Sequence, residues 1–260
     1  MKYALLLILI SSLLPGCDQN NKTVTANSQQ VAPKQLQEGE DKPIIEYLWL
    51  STGPDFTDER LTGLAATWND LIDAGAYEVI TANILRPQFE SENFDLVWVL
   101  LWSSEAARDK AWAHWNQYQS ADWQQQVDGV LTFEPSNSFL YEPLWGYKSP
   151  ALNLVAGDTF FSTFNFCTLV KAQSLNELQA FKTQYNRWLS ESHSAAEYGY
   201  LTLQARFELE DVDFVWLDIF ANEETRNVSA ESWSGTGLER AWNAMTSCET
   251  FEFSSLKIQS

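Results

Sequence analysis

One apolar stretch occurs twice in this chain of 260 residues, at Phe94–Trp102 and again at Val212–Phe220. A constant offset of 118 positions relates the two copies, so that Asp95 aligns with Asp213. The same offset continues on both sides of the stretch, over about thirty residues in each copy. A register kept over that length indicates a tandem duplication. We therefore expect two similar units of roughly 100 residues, each long enough to bury a core.

The two units show the same order of predicted elements. Residues 43–135 alternate strand and helix patterns in the order βαββαβ, and residues 159–260 repeat that order. This is the order of a ferredoxin-like unit, and it predicts an α+β fold. Residues 136–158 join the units and contain several aromatic residues, so we expect them to pack along the surface as a crossing arm.

The third predicted strand indicates how the units meet. Its alternate side chains form two apolar faces, Leu96, Trp98, Leu100 and Trp102 on one and Val97, Val99 and Leu101 on the other. An antiparallel sheet with one solvated face would alternate apolar with polar residues, so both faces must be covered. Helices cover one face, and a second sheet is the natural cover for the other. This predicts a two-sheet barrel within one chain.

The N-terminus resembles a lipoprotein signal. Lys2 precedes an apolar run at residues 4–14 that is too short to span a bilayer and is typical of a signal peptide. The run ends in Leu-Pro-Gly-Cys17, which resembles the lipobox of bacterial lipoproteins. The resemblance implies a signal peptide at residues 1–16 and a membrane anchor on lipidated Cys17. An ordinary secretory signal with an incidental Cys is the alternative.

The expected location is the bacterial cell envelope, facing the periplasm. Asp18 resembles the inner-membrane retention signal of enteric bacteria, but that rule does not transfer to all bacteria, so inner and outer membrane both stay open. Residues 17–42 are polar and almost free of aromatic side chains, which predicts a flexible tether.

The charge of the chain excludes one class of partner. There are 35 Asp and Glu against 16 Lys and Arg, a net charge of −19. Such a surface repels phosphate backbones, so a nucleic-acid partner is not expected.

The passage Trp102-Ser103-Ser104-Glu105-Ala106, on this element order, resembles the dimeric α/β-barrel superfamily. More narrowly, the chain is similar to antibiotic-biosynthesis-monooxygenase domains in a fused tandem form, over residues 44–133 and 160–258. This superfamily hosts many chemistries, so the resemblance implies a fold more than an activity.

This sequence matches the heme-binding positions of the superfamily only in part. Heme-degrading members carry a Trp on the helix after the third strand, which Trp112 matches approximately, and an axial His further on. Residues 120–123 read Ser-Ala-Asp-Trp, without that His. Chlorite-dismutase-like members are two fused units with a heme-ligating His, but His114 and His193 both look structural or solvated here. We therefore expect no cofactor and, with so few His, no metal site.

A pocket is predicted on the face of each hairpin that carries the even-numbered residues. A three-residue turn at residues 91–93 would place Arg86 across from Trp98, as a structural cation–π pair or an anion site. The same register in the second unit sets Gln204 opposite Trp216 and Thr202 opposite Asp218. The candidate ligand-binding residues are Tyr200, Thr202, Gln204, Trp216 and Asp218, with Trp98 and Arg86 in the first unit.

Asp218 is the candidate catalytic base, since it replaces Leu100 in an otherwise apolar strand. A buried carboxylate needs partners or a raised pKa. A local hydrogen bond to Thr202 or to the backbone is the alternative interpretation.

Three functions are compatible with these features. The leading interpretation is a lipid-anchored envelope protein whose barrel binds a small ligand or a partner protein without catalysis. The alternative is a cofactor-independent monooxygenase-like or other small-molecule enzyme that uses Asp218 and Tyr200. The third is a barrel that only supports an assembly surface.

Two cysteines complete the predictions. Cys167 and Cys248 fall on the first and last strands of the second unit, which are neighbours in a ferredoxin-like sheet. The first unit has apolar residues at both places, and export permits oxidation, so we predict a disulfide. Two free buried thiols are the alternative.

Overall fold

The computed structural model describes residues 42–170, 175–191 and 197–259. The first half of these residues contains, in order, β1 (Ile44–Thr52), α1 (Asp58–Ala74), β2 (Val79–Pro87), β3 (Leu96–Trp102), α2 (Glu105–Tyr118), α3 (Ser120–Val127) and β4 (Leu131–Lys148). The second half contains β5 (Thr159–Leu169), α4 (Leu175–Glu191), β6 (Tyr198–Ala205), β7 (Phe214–Phe220), α5 (Glu223–Trp233), α6 (Gly237–Met245) and β8 (Thr246–Gln259).

The eight strands close into one antiparallel barrel. Their order around the barrel is β1-β3-β2-β8-β5-β7-β6-β4. Two pairings, β2 with β8 and β4 with β6, join strands from the first half to strands from the second. The predicted α+β class and the predicted barrel are therefore observed, as one closed barrel in which every strand has two hydrogen-bonded neighbours.

Strand β3 packs as its sequence predicts. Trp98 and the side chains in step with it lie in a core with α1, α2 and α3. Val97 and Val99 point into the barrel, against residues of the second half such as Val215 and Leu217. A third core packs α4, α5 and α6 against the outer face of the strands of the second half. The barrel wall thus separates one internal core from two helix-side cores.

Residues 136–148 are not a separate crossing arm. They continue β4, whose first part pairs with β1 and whose later part, from Tyr141 to Lys148, pairs with β6. A register shift between Leu48 and Leu50 marks the irregularity in the β1–β4 pairing, and such a bulge increases local twist. The predicted unit boundary at residue 135 therefore falls inside a strand that pairs with strands of both halves.

Side chains cap the first turns of α1, α2 and α5. The Thr57 hydroxyl accepts a hydrogen bond from the Arg60 amide at 3.1 Å, and Ser104 does the same for Ala107 at 3.1 Å. Asn222 Oδ1 accepts from the amide of Thr225 at 2.8 Å. These bonds satisfy amides that the first helical turn leaves without partners, which is why α1, α2 and α5 begin where they do.

Cys167 and Cys248 are direct cross-strand partners on β5 and β8 and form a disulfide. The predicted neighbourhood of the first and last strands of this half brings them together, with 4.1 Å between their Cα atoms.

The predicted signal peptide, Cys17 and all but the last residue of the predicted tether lie outside the described residues, as does His193. Within the residues described, no helix has both the length and the apolar character needed to cross a membrane.

Candidate active site

A cavity of about 390 Å³ lies between the strands of the second half and helices α4, α5 and α6. Its wall is rich in aromatic residues and includes Tyr185, Trp188, Tyr198, Trp216, Trp233 and Trp242. Its volume is within the usual range for small-molecule sites. Asp218 is the one carboxylate placed among these rings, whereas Glu252 lies in an ion pair with Arg226.

Asp218 lies on the cavity side of β7 because side chains along a strand point alternately to its two faces. Trp216, Asp218 and Phe220 are two residues apart and all line the cavity, while Val215 and Leu217 point into the barrel. Strand β5 works in the same way, with Thr163 and Asn165 on the cavity side and Phe164 inside the barrel.

Three side chains donate hydrogen bonds to the Asp218 carboxylate. The Tyr198 hydroxyl and the Trp216 indole donate to Oδ1 at 2.5 and 2.8 Å, and the Asn165 amide donates to Oδ2 at 3.0 Å. The Tyr185 hydroxyl donates in turn to the Tyr198 hydroxyl at 3.1 Å. Oδ1 is therefore saturated, whereas Oδ2 keeps a lone pair for another proton.

Burial and hydrogen bonding oppose each other at this carboxylate. Burial raises the pKa of Asp218 to about 6, although the three hydrogen bonds act to lower it. Burial raises the pKa of the Tyr185 and Tyr198 phenols well above their usual value, and the nearby Asp218 charge adds to the effect. Near neutral pH the cavity thus holds protonated phenols beside a carboxyl group able to take or give a proton.

The predicted hairpin registers are wrong by two residues in both halves. Tyr200, not Thr202, lies across from Asp218, and Thr202, not Gln204, lies across from Trp216. In the first half Ile84, not Arg86, lies across from Trp98. The connections run from residue 88 to 95 and from 206 to 213, so both are longer than the three-residue turn assumed. A shift by two keeps every side chain on its predicted face.

Because of this shift, the predicted second-half residues separate. Tyr200 is fully buried, stacks on Trp216 with ring centroids 4.0 Å apart, and donates to Asn186 Oδ1 at 2.7 Å. It supports the cavity wall from behind. Thr202 and Gln204 instead line a separate depression beside Lys182 of α4.

The predicted pair of Arg86 and Trp98 does not form. Arg86 makes an ion pair with Asp58, and its guanidinium lies 5.9 Å from the centre of the Phe56 ring. Trp98 is buried edge-on to Trp68, 5.4 Å between ring centroids. Its indole N–H has no hydrogen-bond partner among the described residues. Trp98 lines a smaller, apolar cavity of about 270 Å³ in the first half.

Sequence reasoning missed most of the cavity lining, including Asn165, Tyr185, Tyr198 and Arg226. Two signals pointed to them. Asn165 is a polar residue between Phe164 and Phe166, and Arg226 matches Arg108 at the offset of 118. Tyr185 gave no such signal, because an aromatic residue on an apolar helix face is typical of ordinary core packing.

Comparisons with known proteins place this fold. No family model matches the chain, and no curated protein matches it. A solved structure provisionally named as a chlorite dismutase is 10% identical, with 83% of this chain and 94% of that chain covered and a TM-score of 0.50. A provisional monooxygenase from Fusobacterium nucleatum is 10% identical, covers 83% and 93%, and has a TM-score of 0.51. A heme-binding protein from Thermus thermophilus is 14% identical, covers 84% and 92%, and has a TM-score of 0.49.

These similarities correct two predictions. We expected a barrel that binds without catalysis and carries no cofactor. The fold is instead shared with a provisional chlorite dismutase and a provisional monooxygenase, and both of these names are names of enzymes. The fold therefore does not support an expectation of binding without catalysis or without a cofactor, and at 10% identity the similarity shows the fold alone.

A heme in this cavity would need a ligand for its iron from the residues that line the cavity. Its iron needs an axial ligand such as His, Cys, Met or tyrosinate, and the described lining of the cavity contains no His, Cys or Met. The raised pKa values of Tyr185 and Tyr198 oppose a tyrosinate. His114 lies on α2, with its ring nitrogen 2.7 Å from the Tyr77 hydroxyl. The described lining of this cavity therefore does not fit an axially ligated heme. The described residues also contain no cluster of three His, Cys, Asp or Glu that could hold a metal.

Proposed function

We propose that the second-half cavity is the active site of a small-molecule enzyme in which Asp218 transfers a proton to and from an aromatic or apolar substrate. The observation that carries the proposal is the position of Asp218, a half-buried residue that lines an aromatic-rich cavity and has one carboxylate oxygen still able to accept a proton. A purely structural carboxylate would be sealed from any ligand-sized space.

The neighbours of Asp218 are suited to that role. Tyr198 and Trp216 hold Oδ1, so the carboxyl group keeps one orientation while Oδ2 meets the substrate. A pKa of about 6 lies near neutral pH, where a general base is both mostly ionised and strong enough to take a proton.

The residues that line the Asp218 cavity indicate the class of substrate. Rings such as Trp188, Trp233 and Trp242 favour a flat, apolar molecule. Arg226 lines the same cavity and supplies a positive charge for an oxygen that becomes negative, although Glu252 offsets part of it. A carbon acid whose acidic C–H lies between an aromatic ring and a carbonyl group, such as a benzyl ketone, has both features.

Hydrogen–deuterium exchange tests this chemistry directly. Phenylacetone is incubated with the protein in D₂O, and loss of its α-proton signal is followed by NMR. Asp218 takes the α-proton to give the enolate, and the carboxyl group, after exchange with solvent, returns a deuteron. We expect Asp218→Asn to lower the exchange rate by about 10²-fold or more.

A matched variant controls for the loss of one negative charge. Asp122 is an exposed residue on α3, and Asp122→Asn should leave the exchange rate unchanged. Equal rates in the wild type and in Asp218→Asn, or no exchange above the rate in buffer, would contradict the proposal.

Two further proposals concern the history and location of the chain. We infer that the halves arose by tandem duplication, which the constant offset of 118 and the repeated order of elements support. We also propose that Cys17 is lipidated and holds the protein at a bacterial envelope membrane, on its periplasmic side, which the resemblance to a lipobox supports.

A further inference from the structure

A second, larger cavity of about 580 Å³ opens at one end of the barrel itself. It shares no lining residue with the cavity that contains Asp218. The two faces of the same strands serve the two cavities. On β5, Asn165 faces the Asp218 cavity while Phe164 and Phe166 face the barrel-end cavity.

An almost unbroken belt of rings surrounds this barrel-end cavity. Phe207, Phe139, Trp49, Phe94, Phe89 and Phe251 contact one another in that order, with centroid separations of 5.4, 4.4, 4.8, 6.2 and 5.1 Å. These rings come from β1, β4 and β8 and from the two hairpin connections. Such a belt favours a flat apolar body and also attracts cations through the faces of its rings.

Two phenols without partners lie in the same cavity. Tyr47 and Tyr141 are 6% and 7% exposed, and both line the cavity. Neither hydroxyl is hydrogen-bonded to another residue in the described part of the chain, although their rings pack edge-on at 5.3 Å. Burial raises the pKa of both phenols, so both remain protonated and able to donate. Neither hydroxyl is among the enclosed polar atoms of the described residues, so both are open to the cavity and can donate to a polar atom of a ligand.

The charge around the opening has one sign. Glu90, Glu92 and Glu249 line the cavity and are exposed, and no Lys or Arg is among the described lining residues. Such a rim attracts a cation and repels an anion.

We propose that the barrel-end cavity binds an arylalkylammonium ion that carries a ring hydroxyl. Its ring lies within the aromatic belt, its hydroxyl reaches Tyr47 and Tyr141, and its ammonium group faces the glutamate rim. The proposal is independent of proton transfer at Asp218, because the two cavities share no residue.

Calorimetric titration of the purified full-length chain tests each part of this recognition with four probes. Tyramine has the ring, the hydroxyl and the ammonium group. Phenethylamine lacks the hydroxyl, tyrosol replaces the ammonium with a neutral hydroxyl, and 4-hydroxyphenylacetate carries a negative charge instead. We expect tyramine to bind with a dissociation constant below about 1 mM, about tenfold more tightly than tyrosol and about threefold more tightly than phenethylamine.

Two sets of variants locate the binding. Tyr47→Phe with Tyr141→Phe should abolish the difference between tyramine and phenethylamine. Changing Glu90, Glu92 and Glu249 to Gln should abolish the difference between tyramine and tyrosol. As a control with the same change in net charge, Gln at Glu134, Glu191 and Glu231, which are exposed and outside the cavity, should leave both differences in place.

Several results would overturn the proposal. One is the absence of tyramine binding by the folded wild type. Another is binding of tyrosol or 4-hydroxyphenylacetate as tight as that of tyramine. A third is tyramine binding that both sets of cavity variants leave unchanged, with circular dichroism showing that they fold. Asp218→Asn should bind tyramine like the wild type, so this result does not depend on the exchange experiment.

Discussion

Arg108 on α2 donates two hydrogen bonds to the same oxygen of Glu46 on β1, at 2.9 and 2.6 Å, although Glu46 is fully buried. The indoles of Trp102 and Trp112 donate to the other oxygen at 3.0 and 2.9 Å. The hydroxyl of Ser138 adds a bond to the first oxygen at 2.8 Å. A buried carboxylate is tolerated in this way because its acceptor sites are filled and its charge is paired.

Removing Arg108 should therefore strongly destabilise the first half. Arg108→Met leaves a buried charge without its cation, and we expect the free energy of unfolding to fall by about 3 kcal/mol in urea titrations. The double variant Glu46→Met, Arg108→Met should lose less, because no charge stays buried. The exposed pair of Arg60 and Asp55 is the control, and Arg60→Met should cost less than about 1 kcal/mol. A double variant less stable than Arg108→Met would contradict this account.

Asp218 should make stability depend on pH in a characteristic direction. Its pKa is about 6 in the folded protein against 3.8 in an unfolded chain, so between these values the folded state binds more protons. Stability should fall as the pH rises through this window, by up to about 3 kcal/mol, and this contribution should be constant above it. Asp218→Asn should flatten that decrease in urea titrations from pH 4 to 7. Parallel curves for the two proteins would show that Asp218 does not titrate in this way.

The disulfide predicts both a thiol count and a stability. Denatured, unreduced protein should show no free thiol from Cys167 or Cys248. Their separation of 81 residues gives a stabilisation of roughly 4 kcal/mol in the chain-entropy model. The double variant Cys167→Ala, Cys248→Ala should lose about that amount, as should reduced wild type. Two reactive thiols in the unreduced protein would exclude the bond.

Gly146 on β4 is required by its contact with Tyr200. A Cβ atom at this position would lie 1.9 Å from the Tyr200 ring, which is itself stacked on Trp216. We expect Gly146→Ala to destabilise the protein by about 1–3 kcal/mol through overpacking. Gly63 in α1 has no atom within 4 Å of the same position, so Gly63→Ala should instead stabilise by about 0.5–1 kcal/mol. Thermal unfolding of the two variants compares them, and equal shifts would contradict the contact.

The proposed anchor predicts a change in location. Cys17→Ser should block lipidation and move the protein from the membrane fraction to the soluble or unprocessed fraction. Fractionation with mass spectrometry of the N-terminal peptide measures both. A mature protein that still carries lipid and still sediments with membranes would exclude Cys17 as the anchor.

Much of the architecture could be predicted from the sequence, because it depends on local periodicity. The two apolar faces of Leu96–Trp102 required two covers, and the structure provides helices on one side and the second sheet on the other. Placing Cys167 and Cys248 on neighbouring strands needed only the order of elements. Asp218 was recognisable as a carboxylate in an apolar strand, since that contrast is visible without any partner.

The partners of these residues were decided only by the tertiary structure. Period two predicts which face a side chain is on but not its opposite residue, so two long hairpin connections shifted both registers by two. For the same reason the sequence did not reveal the pairing of Glu46 with Arg108, which lies 62 positions away on another element. Nor did the sequence show that Asn165, rather than Thr202, lies beside Asp218. Strand β4 crosses between the sheets because β1 and β6 both offer it backbone hydrogen bonds. Side-chain contacts between distant elements depend on how those elements pack, and periodicity within one element carries no record of that packing.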